Sequence, residues 1–300
     1  MEQVKKQKII NSLDLNPKVN YSPFKKKISA KSIILIVTLI IVAIVQLYPL
    51  IWLVLVSFKD NTEIFGGNVL GLPKLWRISN YSSALISGNV GVYFINSVIV
   101  TATTIIISSI LIATSSYAIT RMKWKYSRLT LIIFLLGMMV PIHSTLLPLF
   151  LILRKIHILN TYWSLIIPYV AFALPMGIFV MTSFLEGIPR ELEEAACIDG
   201  CNIYQIFFKV VLPLLRPSLA TVAIFTYLSS WNELMFANTF LNNPKLKTLP
   251  VGIMSMAGQH ATQWGPILAG LVIATLPTIL IYIPLSNQVQ KSLMTGAVKG

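Results

Sequence analysis

Acidic side chains are scarce in this 300-residue chain. It holds ten Asp and Glu against 24 Lys and Arg, and only 11% of its residues are charged. Soluble domains carry about 25% charged residues, so a solvated globular fold is excluded. Cysteine is nearly absent. Cys197 and Cys201 are too few for a disulfide framework and, without further ligands, for a zinc site. They read as small buried packing residues. His143, His157 and His260 are scattered and lack metal-ligand spacing. No Gly–Lys pair occurs, which removes the phosphate-cradling loop G-x-x-x-x-G-K-[ST]. Any ATP hydrolysis therefore belongs to another polypeptide. Convergent His, Asp or Cys groups at one depth are missing as well, so a membrane enzyme is not expected.

What the chain has in abundance is apolar length. Hydrophobic residues make up 55% of it and the mean hydropathy is +0.75. The expected fold class is all-α: a polytopic membrane protein with about six transmembrane helices. The apolar runs predict spans at 33–58, 94–120, 129–153, 162–185, 218–240 and 266–285. Small residues in the second run, among them Ser108, Ala113 and Ser116, suit close helix packing in lipid. Pro141 and Pro148 are placed to bend the third.

The net charge of +14 suggests nucleic acid at first sight. Its distribution points instead to membrane orientation. Residues 1–31 form a Lys-rich arm, and 32–300 form a single transmembrane domain. With six spans, 17 of the 24 basic residues fall on the side of both termini, the 121–128 loop and the 186–217 loop. Positive loops stay inside, so a multi-pass protein of the cell membrane with cytoplasmic N- and C-termini is expected.

Half of the acidic residues lie between Glu186 and Asp199, in the loop 186–217. Charges between greasy spans must face water or a protein partner, because desolvating them costs several kcal/mol or more. The local grammar predicts a short helix, a break and a second short helix. Pro189 suits a first helical turn, and Glu191, Glu193 and Glu194 follow near the positive end of the helix dipole. Leu192, Ala195, Ala196 and Asp199 share a face on which two alanines let a partner approach closely. Gly200 is the natural stop. Asn202 can cap the next helix, and Pro213 and Pro217 mark the entry to the next apolar run.

These residues carry a resemblance. Glu194-Ala195-Ala196, then Gly200, then Val210, Leu212 and Pro213, at this spacing between two spans, resemble the coupling loop of permease subunits in binding-protein-dependent ABC importers. Asn96-Ser97, Tyr117-Ala118 with Arg121, Trp231-Asn232-Glu233, Thr248-Leu249-Pro250 with Gly252, and the terminal Gly296-Ala297-Val298-Lys299-Gly300 are similar to the carbohydrate-uptake branch, most of all to the maltose-type second permease. The resemblance covers residues from about 33 to the end. It implies one half of a translocation pathway for a sugar, with a second homologous permease, a homodimeric ABC ATPase that binds ATP and Mg, and an extracellular solute-binding protein as partners. No cofactor is expected on this chain. Glu191, Glu194, Ala195, Ala196, Asp199, Gly200 and Pro213 would form the ATPase-coupling element. Gly296, Lys299 and Gly300 would approach the ATPase from the tail.

Glu233 is the one acidic residue expected inside a span. With Trp231 and Asn232 it reads in two ways. The three offer an aromatic face and polar groups to a sugar, or Glu233 and Asn232 bond across helices and fix the packing. In the maltose-type relatives sugar contacts lie mostly on the partner permease, which favours packing. Two other functions stand beside sugar import. A glycerol phosphate would want Arg or Lys within the spans, and none is evident. An ion-coupled secondary transporter would want inverted repeats and several intramembrane charges; one such charge is present.

Overall fold

The computed structural model describes residues 30–258 and 262–297, with side chains described for 31–258 and 262–283. It contains helices and turns, and no strand among the described residues. Two compact units meet between Pro49 and Leu50. In the first unit the described part is helical. It opens α1, Ala30–Ser57, which continues into the second. The second unit, residues 50–300, holds everything that follows.

After α1 come the short helices α2, Asn61–Phe65, and α3, Ser79–Ile86. The long helix α4, Val90–Arg121, follows, then α5, Ser127–Gly137, and α6, Leu146–Lys155. Helix α7 is Trp163–Glu186 and α8 is Glu191–Ile198. Helix α9, Ile203–Leu214, leads into α10, Arg216–Trp231. The short helices α11, Met235–Phe240, and α12, Leu249–Met254, precede α13, Trp264–Ala297.

Four stretches are long and apolar enough to cross a membrane: Lys31–Ser57, Val90–Arg121, Trp163–Glu186 and Trp264–Ile283. Two bent pairs raise the number to six if each is one span. The expected third span is one of them. It breaks by 91° between Gly137 and Ile142, ahead of Pro141. Pro148 causes no bend. It sits in the first turn of α6, where its missing N–H has no partner to lose. The other bent pair is α9 with α10, at 72°. The fifth span, expected to run 218–240, stops instead at Trp231, and α11 starts afresh at Met235. The sixth was expected to give way to a polar tail after 285, but α13 continues to Ala297.

Helices α4 and α7 form the centre of the second unit. Ser108, Ala113 and Ser116 of α4 are buried, and Gly177 of α7 faces Ile112 so closely that a Cβ would come within 2.2 Å of its Cδ1. Small residues let helix backbones approach where no hydrophobic force drives helices together. Polar side chains then hold the two ends of this pair. At one end Asn96 donates from Nδ2 to the carbonyls of Lys245 and Lys247, at 2.8 and 2.9 Å. It also accepts from the Tyr162 hydroxyl at 2.8 Å. At the other end lies the acidic loop.

Candidate coupling site and membrane cavity

Helix α8 is short, and it is held by charge. Arg190 precedes it as N-cap, and Pro189 lies outside the helix rather than in its first turn. Glu191, Glu193 and Glu194 occupy the first turn, where the exposed N–H groups favour carboxylates. The three differ in environment. Glu191 and Glu194 are exposed. Glu193 turns inward, its side chain 15% exposed, and its Oε1 lies 2.9 Å from Nε of Arg121, whose side chain is 6% exposed. The Nε–H does not point along this contact, so the pair is held by Coulomb attraction more than by a hydrogen bond. Tyr117 adds its hydroxyl to Glu193 Oε2 at 3.3 Å.

Arg121 does more than neutralise Glu193. Its Nη2 donates to the carbonyls of Leu185, at 2.8 Å, and Ile188, at 2.6 Å. These carbonyls lie at and just past the C-terminus of α7, where orphaned acceptors and the negative end of the dipole favour a cation. One guanidinium on α4 thus ties the end of α7 to the start of α8. Arg190 returns the contact, donating to Thr120 O at 3.2 Å.

The break after α8 forms as expected. Gly200 has φ +82°, a conformation a Cβ resists. Asn202 caps α9 with a reciprocal box: its Oδ1 accepts from Gln205 N, and Gln205 Oε1 accepts from Asn202 N, both at 2.9 Å. Residues Ile206–Val211 are π-helical. This widening precedes Pro213, which has no N–H to give the carbonyl of Lys209.

Ala196 does not sit on the outer face. It is 8% exposed and packs into the core with Ile206, Phe207 and Val211. The α8 period sends it inward with Glu193, three residues before it. Leu192, Glu194, Ala195 and Asp199 remain exposed, and Ile198 is 87% exposed. Tyr204 on α9 is 73% exposed. The outward face of the loop is therefore part acid and part grease. Of the tail residues, Gly296 falls on α13, while Lys299 and Gly300 lie outside the described residues.

A cavity of about 500 Å³ opens between α7, α10 and the break at 232–234. Its walls are apolar, with Phe172, Phe225 and Phe236 among them. Polar groups gather near the break: His143, Tyr169, Ser229, Asn232 and Glu233. Glu233 is committed to structure. It accepts from the N–H groups of Phe236, at 2.9 Å, and Ala237, at 3.1 Å, which starts α11. It also accepts from the Tyr169 hydroxyl at 2.6 Å. Asn232 donates to Leu228 O at 2.9 Å, leaving its amide oxygen open to the cavity. Trp231 points elsewhere. It is 4% exposed, stacks on Tyr227 and donates from Nε1 to Ala274 O on α13 at 3.2 Å. Of the residues Trp231, Asn232 and Glu233, only the last two reach the cavity.

The family profile described as binding-protein-dependent transport system inner membrane component matches residues 109–292. The chain belongs to this family. The permease is 35% identical to the sulfoquinovosyl glycerol transport system permease protein SmoH of Agrobacterium fabrum, over 85% of this chain and 89% of that one. It is 34% identical to the trehalose/maltose transport system permease protein MalG of Thermococcus litoralis, over 90% of this chain and 98% of that one. Its fold matches a chain of a bacterial ABC transporter involved in the import of the acidic polysaccharide alginate. The TM-score is 0.77 and the identity 24%, over 88% of this chain and 98% of that one. The permease is thus a multi-pass membrane subunit of an ABC importer, and it works with an ATPase on separate chains and a solute-binding protein.

Sequence reasoning missed Glu193, which it treated as a dipole partner only, and the role of Arg121. The signal for Arg121 was a basic residue at the end of an apolar run. Its bonding partners lie 64 to 72 residues further on, and nothing local marks them.

Proposed function

We propose that the permease carries an uncharged carbohydrate through a pathway shared with a second, homologous permease, and that α8 docks on one subunit of a homodimeric ATPase. Both termini and the 186–217 loop face the cytoplasm in this reading, as the positive-inside count supports. The observation that carries the substrate class is the chemistry of the cavity. Among the described residues, no Lys or Arg lines it. Its one carboxylate already accepts three hydrogen bonds. What stays open is the His143 ring, the Thr226 and Ser229 hydroxyls, an Asn232 amide oxygen and aromatic walls. That set suits hydroxyl groups and the apolar face of a sugar ring. Names among the relatives divide between sulfoquinovosyl glycerol, which bears a sulfonate, and the uncharged trehalose and maltose. A sulfonate or phosphate would find no Lys or Arg here among the described residues, which favours the uncharged class.

Coupling follows from the two faces of α8. Glu194, with Glu191 and Asp199, offers exposed acceptors to basic or backbone donors on the ATPase, and Leu192, Ala195 and Ile198 offer apolar contact. ATP and Mg belong to that partner. When ATP closes the ATPase dimer, α8 moves as a lever, with Gly200 setting the angle to α9 and Pro213 the bend beyond it. The spans rock from inward-open to outward-open. The tail residues Gly296, Lys299 and Gly300 approach the same partner. The test is ATPase stimulation of the reconstituted complex by its binding protein, loaded with neutral and with acidic oligosaccharides. Stimulation is expected from neutral sugars. Stimulation by acidic sugars alone would refute the substrate reading, and crosslinks from Ala195 that never capture the ATPase would refute the docking.

A further inference from the structure

The segment after α1 has an apolar surface that neither coupling nor the cavity uses. Leu70 is 71% exposed, Leu72 69%, Leu75 66%, Trp76 56% and Ile78 72%. From Ile64 to Pro73 there is no ionisable side chain, and Lys74 and Arg77 follow at once. We propose that residues 64–78 lie in the bilayer interface at the Ser57 end of α1. Leu70 and Leu72 meet the acyl chains there, and Lys74 reaches the lipid phosphates.

The geometry sets the depth. The Trp52 indole N–H donates to Val69 O at 3.2 Å, so the loop folds back along α1 instead of rising away from it. Trp52 stands five residues before Ser57, the end of the span Lys31–Ser57, which is roughly 8 Å along a helix. The span has 27 residues, some seven more than the ~20 that cross the hydrocarbon core. Val69 therefore lies at the boundary of headgroups and acyl chains, the level at which Trp side chains concentrate. A soluble binding protein does not reach below the end of a span.

The interior of the loop holds its own turn in place. Lys59 is wholly buried. Its ammonium donates to the carbonyls of Asn68 and Gly71, both at 2.6 Å, and reaches that of Val69 at 3.4 Å. Asn68 donates to Leu72 O at 3.0 Å and to Glu63 Oε1 at 2.6 Å. The carbonyls of residues 68, 69, 71 and 72 are thus satisfied by the protein itself. Leu70 O and the N–H groups of 68–72 have no protein partner among the described residues, which keeps this backbone at the hydrated headgroup level and out of the hydrocarbon core. Beyond Pro73, Arg77 pairs with Asp60, and the exposed Lys74 side chain can extend toward phosphate, as Lys does at membrane surfaces.

The test uses the complete importer in nanodiscs of phosphatidylethanolamine and phosphatidylglycerol. Benzoylphenylalanine replaces Leu70 or Leu72 in separate preparations and is photoactivated, and the adducts are identified by mass spectrometry. Phospholipid adducts are expected at both positions, severalfold above the same probe at Ser82, an exposed position on α3. Adducts to the binding protein or the second permease, or lipid yields no higher than at Ser82, would overturn the proposal. A second measurement needs no substitution. Under hydroxyl-radical footprinting, Leu70 and Leu72 are expected to be oxidised as slowly as Ile106 and Ile110 within α4. Oxidation severalfold faster would show that water covers them.

Discussion

Replacing Arg121 with Ala tests whether α8 is bolted to the membrane helices. The change removes the cation beside Glu193, at 2.9 Å, and both donors to Leu185 O and Ile188 O. The Glu193 side chain is only 15% exposed, so its carboxylate loses an ion-pair partner in a largely closed site. Breaking such a pair from one side costs about 3–5 kcal/mol, because the remaining charge stays desolvated. The tyrosine hydroxyl at 3.3 Å is a long contact and offsets little of this. Thermal unfolding of the purified complex should therefore shift down clearly. The uptake of solute per ATP hydrolysed should fall more than ATPase activity does, since the docked helix can move without carrying α4 and α7. The double variant Arg121→Glu with Glu193→Arg is the sharper probe. It restores opposite charges but leaves the α7 carbonyls facing a carboxylate, which cannot donate. Partial rescue is expected, and it should stay below wild type. Full rescue would mean that the carbonyl bonds contribute nothing. An Arg121→Ala complex with unchanged melting and unchanged coupling would refute the reasoning as a whole.

Three further perturbations separate the parts of the site. Gly200→Val forces a β-branched residue to φ +82°, a strain of roughly 1–2 kcal/mol or more. It should leave membrane insertion intact and lower transport, as Glu194→Lys should by reversing an exposed charge; normal uptake by both would contradict docking through α8. Glu233→Ala removes the acceptor of the Phe236 and Ala237 N–H groups and of the Tyr169 hydroxyl. A loss of about 2–3 kcal/mol is expected from orphaned donors, whereas Glu233→Gln keeps one oxygen and should cost less. If Gln matches wild type in melting but abolishes uptake, Glu233 has a role in the pathway beyond packing. Asp60 caps α2, and its carboxyl is held below the usual carboxylate range, chiefly by the Glu63 N–H and then by the Thr62 hydroxyl. The depressed value means the cap contributes fully above the ordinary carboxylate range and is lost as pH falls through the lowered one. Amide exchange at Glu63, corrected for intrinsic rate, should rise only on acidification and not between neutral and mildly alkaline pH.

The acidic loop shows how far local reasoning carries. Gly200 and the Asn202 cap act within four residues, and both were readable because a turn and a cap are short-range events, whereas the return bond from Gln205 came only with the structure. Ala196 was read as facing a partner and faces the core instead. Helical periodicity fixes which residues share a face, but not which face meets the protein. Trp231 was left open between a sugar-facing set and packing. Its neighbours in sequence suggested a sugar platform, and its bond to Ala274 on α13 shows a packing role.

The chain by itself determined its solvent, its helical class and the place of its polar knuckle. Those depend on composition and on runs of apolar residues, which lipid reads almost one residue at a time. It also determined where the knuckle breaks, because glycine and asparagine act on their own backbone. Only the tertiary structure decided that Glu193 pairs inward while Glu194 stays outside, and that Arg121 closes the end of α7. It alone turned an expected intramembrane acid into the cap of a broken helix. Each of these rests on groups far apart in sequence, and their free energy exists only once packing has excluded water from between them.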